Sequence, residues 1–463
     1  SLTPTNPDEP TSGAIAGANY YGPNSVVSMK ETVFSNNTSF ANHGGAELYD
    51  KGCQATFEDC RYEGNNTLYE TDVLTDYKFE GYGGAVFADQ PVGMTFTGCD
   101  FVSNQAYAGG AVYCNFAPAP VVDTEDPNQP VLVDPRLELT DCTFTDNKAD
   151  YHFMYSYGGA VYAGNALDPY EEYYFNFLKD HRFSSYDEYS DFYELNPSRG
   201  DEFVDFTIFV YDHYHGYAKF FYPIGTNLWT QDILQDDITI TLETEAERIL
   251  YGLNTPHYQV PVTKCSFEEN LAPYGAGLYV DASISSVINS SFLGNIGQTG
   301  SGTYSYACDL FVQDNLFYKN SGSGVPTLGY LSQQDSSTIQ TYGSGAAQYI
   351  SNCDLFMINN RFTDNTVNGY AGAVYIIGPS IAGYSQTLVN NLFIENKADM
   401  AGGALIATGH SDVDMSNCSF VDNAVSDLIS GVAGAVLVHD TFMSVRNSIF
   451  WDNVGVLGSQ ITV

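Results

Sequence analysis

Positive charge is scarce in this chain. Of its 463 residues only 16 are Lys or Arg, against 56 Asp or Glu, for a formal charge of -40. A surface of that sign repels phosphate backbones, which argues against nucleic acid as a partner, and it is equally unsuited to anionic membranes. Long apolar runs are also missing. No stretch approaches the ~20 residues that span a bilayer as a helix, so no direct membrane insertion is expected. The nine cysteines contain no Cys-x-x-Cys pair, which argues against zinc. Apolar stretches with a 3.6-residue period are absent, which excludes helical repeats. The opening Ser1-Leu2-Thr3-Pro4-Thr5-Asn6-Pro7-Asp8-Glu9-Pro10 is polar and proline-rich, shows no secretory leader and reads as a processed start. Hydrophobic residues nevertheless make up 44% of the chain, enough for a large core and too many for a disordered protein.

What the chain has in abundance is repetition. A small-residue segment, Gly83-Gly84-Ala85, is followed by Phe101 and Asn104. The same pairing returns as Gly109-Gly110-Ala111 with Phe144 and Asn147, and as Gly402-Gly403-Ala404 with Phe420 and Asn423. Aligned on the Phe-x-x-Asn half, eleven units run from Phe34/Asn37 to Phe450/Asn453, and the shortest period is 25 residues. Register kept over so many units identifies a solenoid.

The segments inside each unit are short, aromatic or β-branched, and bounded by Gly, Asn and Asp, as in Cys418-Ser419-Phe420-Val421-Asp422-Asn423. That describes an all-β protein, a parallel β-helix of about eleven coils. It is taken as right-handed because parallel crossovers are. The glycines are expected to supply sharp turns or close backbone approach. The Phe is expected to point inward and stack on its neighbours. The Asn is expected at a corner, tolerating left-handed backbone and bonding its counterparts in adjacent coils.

Two segments break the register. A Pro/Asp-rich loop spans 115–136, and an aromatic, acidic insertion of roughly a hundred residues spans 163–263. The domain reading is therefore 1–162 for the N-terminal coils, 163–263 for an inserted subdomain and 264–463 for the C-terminal coils. Within the insertion Asp168-Pro169 suits a helix start, and 203–212 and 237–243 read as strands. It is either a binding module or a structural flap.

The pairing of Gly-Gly-Ala-[Val/Leu/Ile] with Phe-x-x-Asn resembles the repeats of the chlamydial polymorphic membrane proteins and of other right-handed β-helix surface proteins. The resemblance covers nearly everything outside the two interruptions. It implies an extracellular or cell-surface β-helix used for adhesion or surface structure. Those proteins also carry an autotransporter barrel, which this sequence does not show, so anchoring by that route is not expected.

The site two residues before the Phe holds Cys60, Cys99, Cys142 and Cys265 in successive coils, and Cys308 and Cys353 match each other in another pair of coils. Disulfides and a buried thiol stack are the two alternatives, and nine is an odd number, so one thiol at least is unpaired within the chain. Sequons place glycosylation candidates at Asn36, Asn289 and Asn417, the last two beside an inward site and so expected to face out. Sequons also fall on Asn37 and Asn65, where the ladder role is preferred.

No catalytic residues emerge. Polysaccharide hydrolases and lyases on this fold need clustered Asp with His, Arg or Lys, whereas the few basic residues here are scattered. Asp236-Asp237 falls in the insertion with no Gly-His-Gly or Arg-Ile-Lys after it, and His213, His215 and His257, also there, are read as surface residues. No cofactor is expected, and calcium is compatible with the acidity, without a pattern that names its ligands. These observations favour a non-catalytic adhesin or fibre subunit, partnered by other copies of itself, other surface proteins or glycans. A carbohydrate-active enzyme and a receptor- or glycan-binding module acting through 163–263 are the alternatives. Open solenoid ends expose strand edges, which makes end-to-end or lateral assembly into filaments an expectation as well.

Overall fold

A computed structural model describes residues 17–39, 43–67, 81–116, 135–149, 156–164, 258–322, 342–378, 385–409, 412–427 and 431–463. The strands proposed at 203–212 and 237–243, the helix start at Asp168-Pro169, and Asp236, Asp237, His213, His215 and His257 lie outside the described residues. The described part is a parallel β-helix. One coil consists of strands Val86–Asp89, Gly93–Thr97 and Asp100–Val102, followed by the short Gln105–Ala106. Each pairs in parallel with its counterparts before and after it, giving sheets of twelve, eleven and eleven strands that form three faces. The fourth position carries smaller sheets of two and four strands. The Phe-x-x-Asn half lies on the third face and the Gly-Gly-Ala half leads into the first. A twelfth strand on the first face, Ile461–Thr462, lies beyond the eleven units that the Phe-x-x-Asn motif counts.

The interruptions are narrower than the sequence implied. Strand Val112–Asn115 and buried Phe116 occupy the start of the 115–136 loop, and Arg136–Thr140 its end. Strand Val161–Gly164 runs past 163, and Gln259–Thr263 resumes the second face before 264. These ends carry no Gly-Gly-Ala or Phe-x-x-Asn signal, and they join the sheets because pairing with neighbouring coils satisfies their backbone.

Corners are made by single residues in the left-handed region. In the coil above, Gly83 (φ 68°), Gly98 (φ 62°) and Ser103 (φ 52°) turn the chain. The two glycines of the repeat have different tasks. Gly83 supplies the positive φ, whereas a Cβ on Gly84 would stand 2.0 Å from the carbonyl oxygen of Gly110 in the next coil. The expected left-handed Asn is corrected here. The left-handed residue is the one before it, Ser103, Asp146 or Asp422, and the Asn itself is buried inside the turn.

Two inward columns hold the coils together. Phe34, Tyr62, Phe101, Phe144 and Phe267 begin an unbroken ring stack that continues to Phe450, with centroids 4.5 to 5.0 Å apart. Such pairs add about 0.5–1.5 kcal/mol each beyond burial. Beside it runs the Asn ladder. Asn320 Nδ2 donates to Asn365 Oδ1 (2.9 Å) and to the carbonyl of Phe292 (2.9 Å), and its backbone N–H donates to the same Asn365 Oδ1 (3.0 Å). Its own Oδ1 accepts from the N–H and Nδ2 of Asn295 at 3.1 and 3.0 Å. Every hydrogen-bonding position of a fully buried amide is filled.

Among the described residues one charged side chain enters the core. Glu47 occupies the column held by Val86, Val112 and Val161 in the coils that follow, and it is fully buried. Tyr62 Oη donates to its carboxyl at 2.5 Å, and Tyr21 Oη and Asn19 Nδ2 stand at 3.4 Å. All three donors are neutral, so burial raises the acid's pKa above the usual carboxylate range.

Two outcomes follow for stability. Asn320→Ala orphans buried groups on both neighbouring coils and should cost roughly 3–6 kcal/mol, read as a lower urea midpoint with increased hydrogen exchange on both sides of the site. For Glu47 the unfolded state binds fewer protons than the folded state once pH passes the unfolded pKa. Its stabilising influence is therefore complete in acid and falls as pH rises towards the raised folded pKa. Glu47→Gln should remove that fall and leave the first coils better protected at neutral pH, measured by hydrogen exchange across a pH series.

Candidate binding surface

The motif residues are consumed by the scaffold. All nine cysteines are unbridged and buried, so of the two alternatives the thiols stand free, and neither the neighbours Cys60–Cys99 and Cys142–Cys265 in the column two residues before the Phe nor Cys308–Cys353 at another corner are bridged. Parallel strands aim these side chains the same way, and each uses its sulfur locally. Cys60, Cys99, Cys142 and Cys265 place Sγ 3.3 to 3.5 Å from the carbonyl two residues earlier, across a left-handed corner. Thr32, Ser290 and Ser448 make the same bond with a hydroxyl at 3.0 Å, and Asn360 makes it with its amide at 3.1 Å. Cys308 and Cys353 repeat the device at another corner, reaching the carbonyls of Tyr306 (3.0 Å) and Ser351 (3.2 Å). The column is thus a set of corner locks, which is why Cys, Ser, Thr and Asn interchange there. A hydrogen bond that the Cys142 thiol donates to the Cys265 sulfur, together with burial, pushes the Cys142 thiol up to about 12, so it is not a thiolate at neutral pH.

The sequon residues Asn36, Asn289 and Asn417 are all exposed, each in the left-handed region with φ of 54°, 51° and 55°. Asn37 and Asn65 belong to the ladder, where Asn37 Nδ2 donates to Asn65 Oδ1 at 2.8 Å. Among the described residues no group of three or more His, Cys, Asp or Glu is placed to hold a metal ion. Nor is any helix among them long and apolar enough to cross a membrane.

The sequence reading passed over an outer column of aromatics on the first face. Phe87, Tyr113, Tyr162, Tyr279, Tyr304, Tyr349 and Tyr375 lie in register, with ring centroids 4.4 to 5.5 Å apart. The signal was present, since an aromatic ends the Gly-Gly-Ala-apolar-aromatic segment at Phe87 and Tyr113. These rings cover one another's faces, which leaves edges rather than faces for a ligand and disfavours stacking of sugar rings along the column. Tyr113 and Tyr162 are themselves buried, and burial pushes the hydroxyls of Tyr162, Tyr279 and Tyr304 well above their ordinary value.

The second and third faces change character along the rod. In the first five coils the middle outward column of the second face reads Ser28, Thr56, Thr95, Glu138, Pro261. Farther on it becomes Ser286, Phe311, Phe356, with Ile284, Ile288 and Ile358 in the flanking columns. Phe311 and Phe356 stack in parallel, centroids 5.7 Å apart, and Ile284 and Phe356 remain 42% and 41% exposed. Across the next corner the third face carries Leu316, Leu392 and Ile394, with the exposed Arg361 between the two leucines. This stripe, built from no repeated motif, is the strongest candidate for contact with another molecule.

Comparison with known families agrees with this architecture. A family described as the right handed beta helix region matches residues 262–460, and the chlamydial polymorphic membrane protein repeat matches residues 141–164. No curated protein and no solved structure matches the chain.

Because the corner lock needs only a donor, Cys142→Ser should change stability by less than about 1 kcal/mol. Cys142→Val removes that donor while the Thr140 carbonyl keeps the bond from the Gly98 N–H, and should cost about 0.5–1.5 kcal/mol more than Cys142→Ser, with urea unfolding distinguishing the two.

Proposed function

We propose that this chain, a right-handed β-helix resembling the chlamydial polymorphic membrane proteins, works as a non-catalytic adhesive rod at a cell surface. The observation that carries the reading is the division of labour between the inside and outside of the coils. The Phe and Asn columns are turned inward and matched to the adjacent coils, as the Asn320 bonds illustrate, and the corner locks are satisfied within their own coil. The outward columns are free to vary, and in the middle of the rod they carry outward apolar side chains, Ile284, Phe311 and Phe356 among them, of the kind that marks interaction sites. The match to the chlamydial repeat supports a surface location. The strong negative charge fits a solvated extracellular surface.

The carbohydrate-active alternative draws no support from the described geometry, in which motif residues serve corners and core. The alternative through 163–263 concerns residues that are almost entirely outside the described set. Immobilised full-length chain should retain cells or matrix proteins saturably, while releasing neither reducing sugar nor unsaturated uronide from a panel of neutral and acidic polysaccharides. Product release from any member of that panel would replace this reading with an enzymatic one.

A further inference from the structure

The apolar stripe in the middle of the rod is held in place against the local sequence preference. In strand Ile284–Ile288 an alternation read by hydrophobicity alone puts Ile284 and Ile288 inside and Ser285 outside. The structure has the reverse: Ser285 is buried and Ile284 is exposed. Neighbouring interior positions are polar as well, and Thr303 Oγ1 and Gln348 Oε1 are buried without a hydrogen-bond partner. A coil that keeps isoleucines out and hydroxyls in forgoes burial energy, and such local conflicts concentrate at functional surfaces.

Charge at the same place identifies the occupant. Asp309 and Asp354 are opposite one another on adjacent strands, in the column next to Phe311 and Phe356. Among the described residues neither forms an ion pair. Two like charges at strand spacing beside an apolar surface repel each other, and a cation placed between them relieves that repulsion. The whole chain carries a charge of -40, so a second copy would bring more repulsion to the same spot.

From these observations we infer that the stripe formed by Ile284, Phe311, Phe356 and Ile358, with Asp309 and Asp354 beside it, docks a cationic amphipathic segment of a partner protein. Apolar side chains of that segment cover the phenylalanines, and its Lys or Arg side chains meet the aspartates. The inference rests on the adhesive-rod reading and specifies the chemistry of the partner.

The test uses the full chain and a short fluorescent peptide that alternates leucine with lysine, followed by anisotropy over a salt series. The double variant F311S/F356S should weaken binding about tenfold or more, as expected for loss of a central apolar anchor. D309N/D354N should weaken it several-fold and flatten the salt dependence. The control T56S/T95S, on the same face nearer the N-terminus, should bind as the parent does. All three pairs face outward, and unchanged thermal melts would confirm intact folds. Failure of the parent chain to bind, or binding that ignores F311S/F356S, overturns the proposal and leaves general attraction to a polyanion. Self-association in the ultracentrifuge that F311S/F356S abolishes also overturns it, in favour of a second copy. Cell retention by the variants separates the two readings. Undiminished retention by F311S/F356S leaves the adhesive rod standing without this site. Stripe-dependent peptide binding with no retention by the parent chain leaves the docking site standing without the adhesive role.

Discussion

A buried primary amide, repeated once per turn, is the constraint to which the rest of this protein conforms. Asparagine is suited to the task because its side chain offers two donors and an acceptor with two lone pairs at the end of a short, stiff stem. Each Asn inside the ladder, Asn104 for example, gives one N–H to the next coil and one to a carbonyl of the previous coil, while its oxygen accepts two bonds in return. Aspartate has no donor, and serine has too few groups. The arrangement works only if successive coils are superimposed in strict register, and that requirement explains the parallel Phe stack, the repeated corners and the glycine that admits the next coil's carbonyl. Coil-to-coil dependence of this kind makes the rod a one-dimensional system in which a defect is felt first by its neighbours.

The same requirement sorts the side chains by role. Positions facing inward are few in kind and are filled for geometry: rings that stack, amides that link, and small donors that close corners. The interchange of Cys60, Ser290, Asn360 and Thr32 in one column shows that the column selects a hydrogen-bond donor rather than a particular chemistry. Outward positions escape this selection, so variation accumulates there. The polar Thr56 and Thr95 give way to Phe311 and Phe356 in the same column without disturbing the coil beneath.

Glu47 and the isoleucines of Ile284–Ile288 are two places where the rod departs from its own rule. In one a carboxyl takes a core position, ringed by tyrosines that donate to it. In the other, apolar side chains face solvent while serines are buried. Neither belongs to the Phe stack or the Asn ladder. The first makes the early coils sensitive to proton concentration, and the second supplies the surface on which a partner is proposed to sit.

The fold was legible in the sequence because a solenoid writes its structure repeatedly. Phe101 and Asn104 mean little alone, but the same spacing at Phe144/Asn147 and Phe420/Asn423 makes inward stacking and an amide ladder the economical reading. Which residue takes the left-handed corner was not legible, because Ser103, Asp146 and Asp422 share no side-chain feature that marks them. Nor was the state of the thiols. Matching positions bring cysteines within strand spacing, but only the common direction of their side chains shows that they reach carbonyls instead of closing disulfides. The docking stripe was the least legible of all. In isolation Ile284–Ile288 prefers the opposite orientation, and it is the register imposed by Phe292 and Asn295 and by the strands on either side that turns its isoleucines outward. Composition and spacing thus determined the solenoid. Which side chains reach solvent was decided only when the coils stacked, because a side chain's face depends on strand phase, and phase is set by neighbours distant in the chain.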